Sequence, residues 1–171
     1  MKYYAGIGSR ETPNEILMLF TSIAMRLSQE GYILRSGHAQ GADLAFERGC
    51  NIAIGEKEIY LPWGNFEAST SKLIVKDKRA FEIAEKYHPY WENLSVGAKK
   101  LQARNSHQVL GKDLNTPSDF IICWTKNGKG SGGTGQALRI AKDYNIPVFD
   151  AGKYNDIKEC ENELELFLKN K

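Results

Sequence analysis

Between Asn14 and about Gln29, apolar residues recur at Ile16, Phe20, Ile23 and Leu27, with Leu17, Leu19 and Ala24 beside that line. Spacing of this kind puts one apolar stripe on a helix. Thr12 or Asn14 is placed to cap the helix and Gly31 to stop it. On either side the pattern shortens. Lys2 to Ile7 and Tyr32 to Arg35 read as strands, and Ala42, Leu44, Ala45 and Phe46 favour a second helix from about Gly41 to Cys50. Glu58 to Leu61 is a third strand, ended by Pro62. Helices are then predicted from about Lys78 to Lys86 and from about Ser95 to Val109, with His88-Pro89 marking the break between them. Asp119 to Trp124 is the most apolar run, short enough for a strand buried on both faces. A glycine-rich stretch, KNGKGSGGTGQAL, opens a helix to about Tyr144, followed by a strand at Ile146 to Phe149 and a closing helix from Asn155 to Leu168. Strand and helix alternate along the chain, the pattern of parallel crossover units. The expectation is an α/β fold: a mostly parallel open sheet with helices on both faces, residues 1–171 forming a single domain.

Three of the strands run into loops rich in small residues. Gly8-Ser9-Arg10 follows the first, Ser36 to Asp43 the second, and Ser131-Gly132-Gly133-Thr134 opens the helix after the apolar strand. In a parallel sheet such loops lie along one edge, where ligands bind near the point at which strand order reverses. Gly37 and Gly41 allow a sharp turn and a close backbone approach. Amides at the start of the following helix, with the helix dipole, favour an anion there. Ser36, His38 and Gln40 add hydrogen-bonding side chains, and Asp43 falls in the first helical turn, where a carboxylate caps amides or holds a ligand hydroxyl. Gly132 and Gly133 let the backbone approach a phosphate, and Thr134 offers a hydroxyl. Each loop taken singly is also open to a purely structural reading as a tight strand-to-helix turn. Glu11 stands where GxGxxG starting at Gly6 needs its third glycine, and GxxxxGK[ST] does not occur, which excludes a P-loop ATPase.

Asp43 and Glu47 lie one helical turn apart on one face. Paired carboxylates in a cleft can cleave an N-glycosidic bond, one stabilising positive charge on the sugar and the other managing protons. A solvated helix face is the plainer reading of Glu47. Arg10, Arg35 and Arg104 are candidate forks for phosphate. Trp63 either stacks on a base or packs under the irregular segment that follows, and His88 and His107 read as structural.

Composition narrows the classes. Hydrophobic residues at 42% and charged residues at 26% of 171 are ordinary for a globular protein. A net charge of +2 is too small to point to nucleic acid without clustering. Cys50, Cys123 and Cys160 have neither disulfide-framework nor ligand spacing, so no metal and no cofactor are expected, and a reduced, cytoplasmic setting is. Met1 to Gly8 runs straight into a strand rather than a signal peptide, and no apolar run approaches the roughly 20 residues that span a bilayer.

GIGSR at the first strand end, SGHAQGAD after the second, YLPW after the third, the Arg104-Asn105 pair and GSGGTGQAL occur in one order. In that order they resemble the Rossmann-like domain of the DNA-processing protein A (Smf) family and its relatives, the lysine-decarboxylase-like nucleotide phosphoribohydrolases, over about residues 3 to 150. The resemblance implies a Rossmann-like fold, Arg104 and Asn105 among the nucleotide-binding residues, and self-association into a homo-oligomer. Two positions depart from it. Gln40 stands where DNA-processing protein A usually has arginine, which weighs against DNA, and Gln136-Ala137-Leu138-Arg139 lacks the catalytic glutamate of the phosphoribohydrolases. The expected function is binding of a nucleotide or nucleotide-derived small molecule as a sensor or sequestering module. Its phosphate would sit on Gly8-Ser9-Arg10 and Gly132-Gly133-Thr134, its ribose or base near Asp43. A nucleotide N-glycosidase using Asp43 and Glu47 is the alternative, and a DNA-binding protein related to DNA-processing protein A the third.

Overall fold

Neighbouring residues Tyr4 and Ala5 are both fully buried. Successive side chains of a strand point to opposite faces, so β1 (Lys2–Gly6) is covered on both sides. The same holds for β5 (Phe120–Cys123), whose four residues are all fully buried. In the computed structural model, which describes residues 1–171, these two strands lie side by side in the interior of a six-stranded sheet. The others are β2 (Tyr32–Ser36), β3 (Lys57–Leu61), β4 (Leu73–Ile74) and β6 (Val148–Asp150), in the order β4-β3-β2-β1-β5-β6. Every pairing is parallel. The two-residue β4 was not expected. It is too short to show a period, and pairing with Tyr60 and Leu61 defines it.

Helices cover both faces. On one, α1 (Asn14–Gln29), α2 (Ala42–Ile52) and α6 (Ile157–Lys169) bury Phe20, Phe46 and Leu164 against Tyr4, Leu34 and Phe120. On the other, α3 (Lys78–Tyr87), α4 (Val96–Leu110) and α5 (Gly132–Asp143) pack Ala84, Ala103 and Ile140 against Ala5, Ile121 and Cys123. The alternation of Tyr4 with Ala5, and of Phe120 with Ile121, sends one residue of each pair into each layer. Cys50, Cys123 and Cys160 are buried free thiols, and no helix is long and apolar enough to cross a membrane.

The start of α1 differs from expectation in a way that bears on the site. Pro13 occupies the N-cap position and no side chain caps the helix. Thr12 instead donates its hydroxyl to the Ser9 carbonyl at 2.6 Å, closing the first loop, and Asn14, the other expected cap, is the first residue of the helix. From β1 the chain builds β2, β3 and β4 outward to one side, then returns to lay β5 and β6 on the other. The reversal falls between β1 and β5, the place where an open parallel sheet leaves a crevice.

Candidate functional site

Pairing between β1 and β5 continues past the strands: Ile7 donates its amide to Ile122 O at 3.2 Å and Ser9 to Trp124 O at 3.2 Å. The Ser9 carbonyl then accepts from Thr12 and, at 3.4 Å, from the Ala42 amide, binding the first loop to the start of α2. Gly41, at φ +91°, packs its backbone against Ser9 and Arg10 at this junction. Across the crevice, Thr125 donates its amide to Asp150 at 2.9 Å and its hydroxyl to the same carboxylate, and its hydroxyl oxygen accepts from the Gly130 amide at 2.9 Å. This anchor sets the loop leading to α5. Ser131 at the α5 N-cap makes no capping hydrogen bond, so the first amides of α5 are left for another acceptor. A Cβ at Gly132 or Gly133 would meet nothing within 4 Å, so both glycines border open space, and both line the cleft. Asn105 steadies the turn from below by donating to Gly133 O at 3.1 Å.

These parts enclose a cleft of about 400 Å³ that includes Gly8, Ser9, Arg10, Asp43 and Gly132 to Thr134. That volume lies within the range of small-molecule sites. Its floor holds two buried charges. Asp43 is 4% exposed and accepts from the Ala39 amide at 3.3 Å. Burial pushes its carboxyl from the usual 3.8 to about 6, while the Arg104 charge and the amides of Ala39, Gly8 and Gly37 pull it down. Arg104 donates to Gly37 O at 2.6 Å, Tyr60 O at 3.3 Å and Asn105 Oδ1 at 3.1 Å. Burial lowers the Arg104 pKa below its usual value, and Asp43 opposes that.

An acid of this kind gives the fold a pH dependence of definite sign. Native Asp43 holds its proton up to about pH 6, whereas the unfolded chain loses it near 3.8. Its contribution to stability is therefore greatest in acid and is lost as the pH rises through about 6, a change of about 3 kcal/mol. In urea unfolding between pH 4 and pH 7, Asp43→Asn is expected to remove this downward slope. An unchanged slope would assign it to other groups.

The remaining sequence candidates divide. Ser36 is fully buried and donates to Gly6 O at 2.6 Å, and the Gly37 carbonyl is an Arg104 acceptor, so both support the site from behind. His38, at φ +59°, lies with Nδ1 2.6 Å from Glu47 Oε2. Glu47 also takes Lys57 Nζ at 2.8 Å. Asp43 and Glu47 therefore do not form a pair in the cleft, nor is Glu47 on a solvated face, since it is 8% exposed. One turn along α2 moves the side chain from the loops to the flank of β3, where Lys57 supplies a cation. Gln40 reaches Glu67 at 3.4 Å. Arg35 is no free fork: it pairs with Glu58 at 2.9 Å, donates to Thr116 O at 2.6 Å and lies over the Tyr3 ring at 3.8 Å, away from the cleft. Trp63 packs edge-to-face on Phe66 at 5.4 Å, and Phe66 rather than Trp63 lines the cleft. Gln136 is fully buried and donates to Ala84 O at 2.8 Å.

Phe66, Gln102 and Lys126 line the cleft without having been singled out from the sequence. Lys126 lies inside the glycine-rich stretch that was, and Gln102 sits one turn before Asn105 on α4. Phe66 had no signal, because its place depends on a loop with left-handed backbone at Asn65, Glu67 and Ala68.

No protein-family model matches the chain, and no curated protein matches it in sequence. Among solved structures it is similar to DNA processing protein A from Helicobacter pylori, with 20% identity and a TM-score of 0.60 over 99% of this chain and 81% of that one. It is also similar to the Moco carrier protein of Chlamydomonas rheinhardtii, with 15% identity and a TM-score of 0.52 over 88% and 76%. At these identities the likeness is one of fold. The chain has the Rossmann-like architecture that the DNA-processing protein A resemblance implied.

Proposed function

We propose that the cleft between β1 and β5 binds a nucleotide or nucleotide-derived small molecule, and that the protein acts as a sensor or sequestering module for it. One observation carries this: the uncapped start of α5, with open space beside Gly132 and Gly133, shares one cleft with buried Asp43 and Arg104. The amides suit a phosphate, and an acid held near 6 suits a sugar hydroxyl, as donor or acceptor. The same fold serves single-stranded DNA in DNA processing protein A and a cofactor in the Moco carrier protein. The size of the present cleft favours the smaller ligand over a polymer. An N-glycosidase reading is left with Asp43 alone, because Glu47 is engaged by His38 and Lys57.

Thermal shift and free-base release, followed together over a panel of nucleoside mono-, di- and triphosphates, test both readings. A ligand that binds only the folded state raises the melting temperature by mass action, about 2.7 kcal/mol of stabilisation at 100 times Kd. A shift without base release is the expected result. Base release that disappears in Asp43→Asn would instead make the protein an N-glycosidase. Silence across the whole panel would overturn the nucleotide reading.

A further inference from the structure

The cations at the cleft mouth are met by the chain's own carboxylates. Glu67 Oε1 lies 3.4 Å from Arg10 Nη2 and Glu67 Oε2 lies 3.4 Å from Gln40 Nε2. A single carboxylate is thus held between donors from the first and second loops. On the other side of the mouth, Lys126 Nζ is 4.0 Å from Glu11 Oε2. These contacts are long and exposed, the kind worth little by themselves. Yet the backbone that delivers Glu67 is strained. Asn65 at φ +60°, Glu67 at +47° and Ala68 at +62° are all left-handed, a conformation that asparagine tolerates and glutamate and alanine resist. The position of Glu67 is therefore imposed by what surrounds it rather than preferred locally.

We propose that Glu67 is an internal stand-in for an anion: its carboxylate occupies a second anion subsite, built from Arg10 and Gln40, that a ligand phosphate takes over by displacing it. The proposal rests on the nucleotide reading and narrows it. One phosphate sits on the α5 amides and the next on Arg10, which lines the same cleft, with Gln40 behind Glu67, so the ligand class is a nucleotide carrying a pyrophosphate. A carboxylate offers two oxygens and one charge, whereas a terminal phosphate offers three oxygens and up to two charges, so the exchange favours the ligand. A single phosphate is satisfied by the α5 amides and leaves Glu67 where it is. Displacement also frees the 65–68 segment from its left-handed conformation and shifts Phe66, which lines the cleft.

The test is isothermal titration of the full chain and of Glu67→Gln with inorganic pyrophosphate and, separately, with orthophosphate. Glutamine keeps the size of the side chain and removes the competing charge. Pyrophosphate affinity is expected to rise about tenfold in Glu67→Gln, which removes both a competitor for Arg10 and a repulsion. Orthophosphate affinity is expected to change less than twofold. The gain should vanish when Arg10→Ala is added. Glu67→Ala, checked for unchanged circular dichroism, should repeat it. If both variants bind pyrophosphate no better than the parent while the nucleotide panel still shifts the melting temperature, the stand-in role of Glu67 is wrong and the nucleotide reading survives. An equal gain for both anions would overturn the pyrophosphate assignment. A parent chain that binds neither anion nor any nucleotide would remove the nucleotide reading itself.

Discussion

Arg104→Met is expected to lower the stability of the fold by about 3–5 kcal/mol, because removing one partner leaves a buried opposite charge uncompensated. Arg104 is 5% exposed, and its guanidinium satisfies the Gly37 and Tyr60 carbonyls while facing Asp43. Methionine fills similar length but donates nothing. Two carbonyls lose their donor, and Asp43 loses the cation that offsets its burial, so its pKa climbs above about 6. The destabilisation should therefore grow between pH 5 and pH 8. Adding Asp43→Asn should recover part of the loss, since no charge is then stranded. Urea unfolding of the two single variants and the double variant measures this coupling directly. Strict additivity would mean that Arg104 works only through the carbonyls.

Gly41→Ala should cost about 3 kcal/mol and also erase any nucleotide-induced thermal shift. Two effects combine. At φ +91° and ψ −125° an alanine is strained, and its Cβ would stand 2.7 Å from Ser9 O and 2.8 Å from Arg10 Cα. Those neighbours are backbone and cannot rotate away. Displacing them breaks the Ser9 carbonyl's links to Thr12 and Ala42, and with them the first loop's placement beside α2. Gly132→Ala is the control. Its φ is +73°, but a Cβ there meets no atom within 4 Å, so only the backbone strain of about 1 kcal/mol remains. Equal losses in the two variants would show that the junction at Ser9 contributes nothing beyond backbone conformation.

The order of strands and helices was legible because each long element carries a clear period. The apolar line of Ile16, Phe20, Ile23 and Leu27 proved to be the buried face of α1, and Ala24 joins it. The three loops were legible as a set because glycine and hydroxyl residues follow strands at matching points. Side-chain direction was not. Glu47 and Asp43 share a helix face by spacing, yet the cation that claims Glu47 comes from β3, and pairing across elements leaves no mark in local sequence. Arg35 misleads for the same reason, since its partners Glu58 and Thr116 are far along the chain. The 65–68 segment has no helical or strand period, and the contacts of Glu67 to Arg10 and Gln40 are ones that only the folded chain assembles.

The central place of β1 has a kinetic consequence. During synthesis β1 has one neighbour, β2, close behind it in the chain, whereas the other, β5, begins only at Phe120. Until then the open edge of β1 presents unpaired backbone groups in a largely apolar strand, the kind of surface that invites wrong partners during synthesis. The seam between β1 and β5, whose partners lie far apart in the chain, is the one on which the cleft lies. The cleft is therefore assembled only once β5 has paired with β1, and any ligand of it would favour chains that have passed that step.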